Sequence, residues 1–125
     1  MIKYINKIVY FLGSVFLMAN CNSGQSGSQI SMGDFKELMQ QDSSITILDV
    51  RTPGELSGPL GHIDGVINIP VQELNSRLSE LDSYKDKKLY VICRTGNRSG
   101  AATKILNSKG FNAVNVLGGM TAYRN

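Results

Sequence analysis

The chain has 125 residues, 42% of them hydrophobic and 18% charged, which suits one globular domain and not two. Its formal charge of +3 includes Lys3 and Lys7; without them eleven basic residues face ten acidic ones, a balance that gives no footing for nucleic-acid binding. The chain has one histidine and two cysteines; if Cys21 holds a lipid, one histidine and one free cysteine cannot supply the four ligands of a zinc site, and no metal or cofactor is implied.

The first twenty residues stand apart. "MIKYINK" carries the two lysines, and "IVYFLGSVFLMA" is an uncharged run of roughly 12 residues, the layout of a secretory signal. A bilayer span takes ~20 residues, so this run is short for one. A core helix would carry a polar face, which Ile8 to Ala19 lacks. "LMANC" then resembles the lipobox of bacterial lipoproteins, with Met18 and Asn20 departing from the usual residues. That resemblance implies cleavage after residue 20, a lipid on Cys21, and an exported, periplasmic domain held to a bacterial membrane. Residues 21–29, including "NSGQSGSQ", read as a flexible Gly/Ser tether, and residues 30–125 as the domain.

The domain opens with "SMGDFKELMQQ", a helix with Ser31 as N-cap, Asp34 three residues on, and a stripe of Phe35, Leu38 and Met39. "ITILDV" is a buried strand, and "RTPGELSGPLGHIDG" a long turn-rich loop. "VINIP" is a short strand stopped by Pro70. In "VQELNSRLSELDSY", Val71, Leu74, Leu78 and Leu81 recur at helical spacing and read as core. "KLYVIC" is a near-continuous apolar strand, which predicts burial on both faces. "RSGAATKILNSKG" is a helix closed by Gly110, "NAVNVL" a last strand, and Gly118-Gly119 a turn. The alternation predicts an α/β domain with a small parallel sheet and helices on both faces. In such sheets function gathers at the carboxyl ends of strands, where Asp49, Arg51 and Cys93 all fall.

With Cys21 taken by a lipid, Cys93 is a lone thiol in a compartment that oxidises thiols. It begins "CRTGNRSG", a strand-to-helix turn eased by Gly96. Such a turn aims backbone N–H groups inward, and the helix N-terminus adds partial positive charge. Arg94 and Arg98 add two cations. All of these favour thiolate and predict a nucleophile. A buried, inert cysteine would leave "RTGNR" without a purpose.

"CRTGNRS" resembles the active-site loop of the rhodanese family of thiosulfate sulfurtransferases. "ILDVRTPGE", "GHIDGVINIP" and "LGGMTAY" resemble further segments of that family, in family order across residues 29–125. "ELSGPLGHI" is longer than the usual spacing, and Tyr123 stands where many members carry Trp. The resemblance implies a rhodanese-like fold and sulfur transfer through a Cys93 persulfide. Arg94, Thr95, Gly96, Asn97, Arg98 and Ser99 would cradle it, with Arg94 and Arg98 steering a sulfonate-like donor such as thiosulfate. The implied partners are a small-molecule donor, a thiol or cyanide acceptor, and a protein acceptor as an alternative.

Two other readings compete. Phosphatases and arsenate reductases of related fold use Cys, five residues, then Arg; here Ser99 holds that place and the arginine comes one position early. A persulfide carrier without free turnover would share the same loop. Asp49, Arg51 and His62 read as hydrogen-bonding support: Asp49 and Arg51 across strand ends, His62 in a turn.

Overall fold

The computed structural model describes residues 28–125. The segment read as a signal sequence, Cys21 and the expected tether before Ser28 lie outside the described residues. Five strands, β1 (Gln29–Ile30), β2 (Thr46–Asp49), β3 (Ile67–Asn68), β4 (Lys88–Ile92) and β5 (Asn112–Val116), form one parallel sheet in the order β1-β5-β4-β2-β3. Gln29, counted above with the tether, belongs to β1: it pairs with Asn115 and covers an edge of β5 that would otherwise lie open.

Helix α1 (Met32–Gln41) starts where the capping pattern predicts, with the Ser31 hydroxyl accepting the Asp34 N–H. Its Phe35 is fully buried and its ring centroid lies 5.9 Å from that of Tyr90. Side chains alternate along β4, as they must in a strand. Tyr90 and Ile92 pack with Phe35, Val114, Val116 and Met120 on one face, and Leu89 and Val91 with Leu74, Leu81, Ala102 and Leu106 on the other. The sheet is thereby covered on both faces, by α1 and α4 (Gly119–Tyr123) on one and by α3 (Asn97–Ser108) and residues 71–84 on the other.

Two segments differ from the expectation. Residues 71–84 are not one α-helix but two 3-10 stretches, Val71–Glu73 and Leu78–Tyr84. Bonds three residues apart run through them, such as Leu74 N–H to the Val71 carbonyl and Arg77 N–H to that of Leu74. The Ser76 hydroxyl also donates to the Glu73 carbonyl, so a side chain competes for the backbone. The leucines are still core: Leu74 and Leu81 are fully buried, and Val71 and Leu78 pack against them.

The long loop after β2 contains a short helix, α2 (Pro53–Leu56), begun by a reciprocal capping box. The Thr52 hydroxyl accepts from Glu55 N–H, and the Glu55 carboxylate accepts from Thr52 N–H. At the far end of α3, Lys109 is the cap and Gly110 the left-handed residue just beyond it.

Candidate active site

Cys93 is the first residue after β4, at the carboxyl end of the central strand, and is 1% exposed. The chain turns through Arg94 and Thr95 to Gly96, whose φ of +111° only glycine adopts without strain, and α3 begins at Asn97. That turn aims the Gly96 N–H at the Cys93 Sγ, 3.0 Å away. The Ser99 hydroxyl sits 3.3 Å from the same sulfur. Burial pushes the Cys93 thiol up, but the Ser99 hydroxyl and the amides of Ser99, Gly96 and Thr95 outweigh it and hold the thiol below its ordinary value.

The loop is held from behind by groups the sequence reading did not single out. Met120 N–H donates to the Cys93 carbonyl at 2.8 Å and Thr121 N–H to that of Arg94 at 3.0 Å, so the start of α4 docks on the loop backbone. Gly118-Gly119, read as a turn, is the turn that launches this helix. A Cβ on Gly119 would lie 2.5 Å from the carbonyl oxygens of Cys93 and Arg94, so only glycine allows the approach. From β5, Asn115 accepts the Ser99 hydroxyl at 2.6 Å and donates to the Gly96 carbonyl at 3.3 Å. Ser99 has one proton, which serves either Asn115 or the sulfur at a given moment.

Asp49 and Arg51 form a buried ion pair, 0% and 1% exposed, with Arg51 Nη2 2.7 Å from Asp49 Oδ2. Arg51 also donates to the Gly61 carbonyl at 2.8 Å, and Asn68 donates to the carbonyls of both Asp49 and Arg51. The pair therefore ties the end of β2 to β3 and to the long loop. His62 is exposed, and its Nδ1 lies 3.2 Å from the Leu56 carbonyl, across one turn of that loop.

Arg98 departs from the expectation. Its guanidinium is not free to meet a substrate: it forms two bonds, 2.7 and 2.8 Å, with the Glu55 carboxylate. Arg98 draws the Glu55 carboxyl down to about 2, against the opposing effect of burial and with help from Thr52. Arg94, in contrast, is exposed, and its guanidinium has no hydrogen-bond or ion-pair partner among the described residues. It lines a cavity of about 660 Å³ beside the loop. Glu55 and Asn115 were thus missed. The Thr52-x-x-Glu55 box signals the helix that carries Glu55, but nothing local signals an ion pair across 43 positions.

Comparison with known proteins agrees with this geometry. The family model described as "Rhodanese-like domain" matches residues 31–125. The chain is 39% identical over 93 residues to a Bacillus subtilis protein named "Putative sulfur carrier protein YrkF", covering 74% of this chain and 48% of that protein. It thus spans about half the length of that relative. A second B. subtilis protein, "Putative sulfurtransferase YtwF", is 36% identical over 95 residues, covering 76% of this chain and 88% of that one. The crystal structure of a rhodanese-related protein from Thermoplasma volcanium matches with a TM-score of 0.67 and 41% identity, over 77% of this chain and 89% of that one.

Proposed function

This chain belongs to the rhodanese-like family, and from that premise we propose that it is a sulfurtransferase that carries a sulfane sulfur on Cys93. The thiolate attacks the outer sulfur of a donor such as thiosulfate. The donor's S–S bond breaks, sulfite departs with the bonding pair, and Cys93 becomes a persulfide. A nucleophilic acceptor, a thiol or cyanide, then attacks the outer sulfur and Cys93 leaves as thiolate.

The observation that carries this reading is the convergence of the Gly96 N–H and the Ser99 hydroxyl on one sulfur at the start of α3. Donors fixed in place stabilise the negative charge that returns to Sγ when the acceptor attacks. Position 99, where an oxyanion-transferring loop carries its arginine, holds a fully buried serine. Arg98 is engaged by Glu55, so the phosphatase reading lacks its phosphoryl-binding group.

A persulfide carrier is the second reading, favoured by the likeness to a protein named as a sulfur carrier. Steady-state assay with thiosulfate and cyanide separates the two. Repeated turnover supports the enzyme, and a single sulfur loaded and retained supports the carrier.

We further propose that the domain is exported and held to a bacterial membrane through a lipid on Cys21, on the pattern of residues 1–21. Labelling with a fatty acid should mark the full chain in a bacterial host, and Cys21→Ala should erase the mark. A full-length chain that keeps Met1 and takes up no label contradicts this address.

A further inference from the structure

We infer that Asn115 is a positioning residue for the transfer: it holds the Ser99 hydroxyl proton while Cys93 Sγ is neutral, and yields it to the sulfur as Sγ becomes thiolate. This rests on the sulfurtransferase reading and adds a residue that reaches the sulfur only through Ser99.

The Asn115 amide has one orientation that satisfies both of its contacts. Its Nδ2 lies 3.3 Å from the Gly96 carbonyl, which can only accept, so Oδ1 is the atom 2.6 Å from the Ser99 Oγ. The fully buried hydroxyl therefore chooses between two acceptors, Oδ1 at 2.6 Å and Sγ at 3.3 Å. A neutral sulfur is a weak acceptor and leaves the proton with the amide oxygen. A thiolate offers a charge-assisted bond and draws it across.

Gly100 is a second observation on the same contact. It lies inside α3 without a positive φ, so its backbone does not call for glycine. A Cβ there would stand 3.3 Å from Asn115 Nδ2. Glycine within a helix costs stability relative to alanine, and here it leaves the space through which the amide passes. The Asn115 backbone is fixed on both sides, paired with Val91 of β4 and Gln29 of β1.

In discharge the acceptor takes the outer sulfur, the Sγ–S bond breaks, and its electron pair returns to Sγ. The Ser99 hydroxyl turns from Oδ1 to Sγ as that charge arrives, and its proton stays on Ser99 throughout. Asn115 thus favours the loaded persulfide over the discharged thiolate. The charged groups around the sulfur are Arg94 in the loop, Arg98 of α3 with its partner Glu55, and the Asp49–Arg51 pair at the end of β2. The start of α4 and Asn115 itself bring none, so a change at position 115 leaves every charge in place.

The test follows iodoacetamide alkylation of Cys93 across pH, read by mass on its peptide, in the full chain and in Asn115→Leu, Asn115→Ala, Ser99→Ala and the Ser99→Ala/Asn115→Leu double variant. Freed of its rival acceptor, Ser99 should serve the sulfur, and the midpoint should fall by roughly half a unit to one unit in both Asn115 variants, one hydrogen bond's worth. Ser99→Ala should move it the other way, and adding Asn115→Leu to Ser99→Ala should move it no further. After loading with thiosulfate, discharge to cyanide should quicken in the Asn115 variants, by up to about tenfold. A midpoint that stays or rises in both, a shift that persists without Ser99, or discharge no faster than in the unmodified protein would overturn the role of Asn115. If the unmodified protein takes no sulfur from thiosulfate, the sulfurtransferase reading itself falls, while alkylation, which needs no sulfur donor, still decides whether Asn115 governs Ser99.

Discussion

Arg98, in the first turn of the helix behind the nucleophile, closes a two-pronged ion pair on Glu55, 43 positions earlier in the chain. It thereby joins α2 to the Cys93 loop and takes from the loop one of the two cations its sequence displays.

Glu55→Gln should therefore do two things. It should free Arg98 and lower KM for thiosulfate. It should also remove a pH-dependent part of the stability. The Glu55 carboxyl is depressed from 4.5 to about 2 in the folded protein, so its contribution is present above pH 4.5 and is lost as pH falls toward 2. The half-exposed pair should contribute on the order of 1 kcal/mol or less. Urea denaturation of both proteins across that window should show the gap between them closing on the acid side. A gap that widens there contradicts the assignment.

The buried pair beneath the long loop is a different case. Asp49→Asn leaves Arg51 charged, 1% exposed and without its carboxylate, and should cost about 3–5 kcal/mol. Thermal unfolding followed by circular dichroism measures this, and near-normal stability would show that Asp49 is not what holds Arg51 in place.

Much of this architecture can be read from local pattern. Ser31 and the Phe35 stripe mark α1, the apolar run of β4 marks a strand buried on both faces, and the Cys93 loop announces its helix. Residues 71–84 mislead because Val71–Leu74 and Leu78–Leu81, each three apart, suit a 3-10 turn as well as an α-helix. The α2 helix was legible in Thr52-Pro53-x-Glu55 but is hidden among the turn residues around it. What local pattern cannot carry is the back of the site. Asn115 looks like any polar residue of a strand until the parallel pairing of β4 and β5 brings it to Ser99. The free state of Arg94 and the engaged state of Arg98 likewise depend on where α2 lands.

Gly119→Ala should cripple transfer more than folding. The added methyl meets the Cys93 and Arg94 carbonyls at 2.5 Å, at a φ of +58°, and must push the loop or α4 away. A displacement near 1 Å at a reacting group costs roughly a hundredfold in rate. Persulfide formation by a folded Gly119→Ala protein should fall by about that factor, and an unaltered rate would mean that α4 does not set the loop.

Ser99→Ala removes the hydroxyl that helps hold the Cys93 thiol down. The thiol should then titrate at higher pH. Alkylation by iodoacetamide should slow below the new midpoint yet reach a similar alkaline plateau, because thiolate is the reacting form. A pH profile that does not move, in a folded variant, would assign the lowering to the backbone amides alone.

In the proposed transfer, the sulfur rides on the Cys93 Sγ. Mass spectrometry of the domain after brief exposure to thiosulfate tests it most directly, with Cys93→Ser as the control. One added sulfur should appear on the peptide carrying Cys93, vanish with cyanide, and be absent from the folded serine variant. A domain that gains no sulfur, or gains it equally with serine at position 93, contradicts the account.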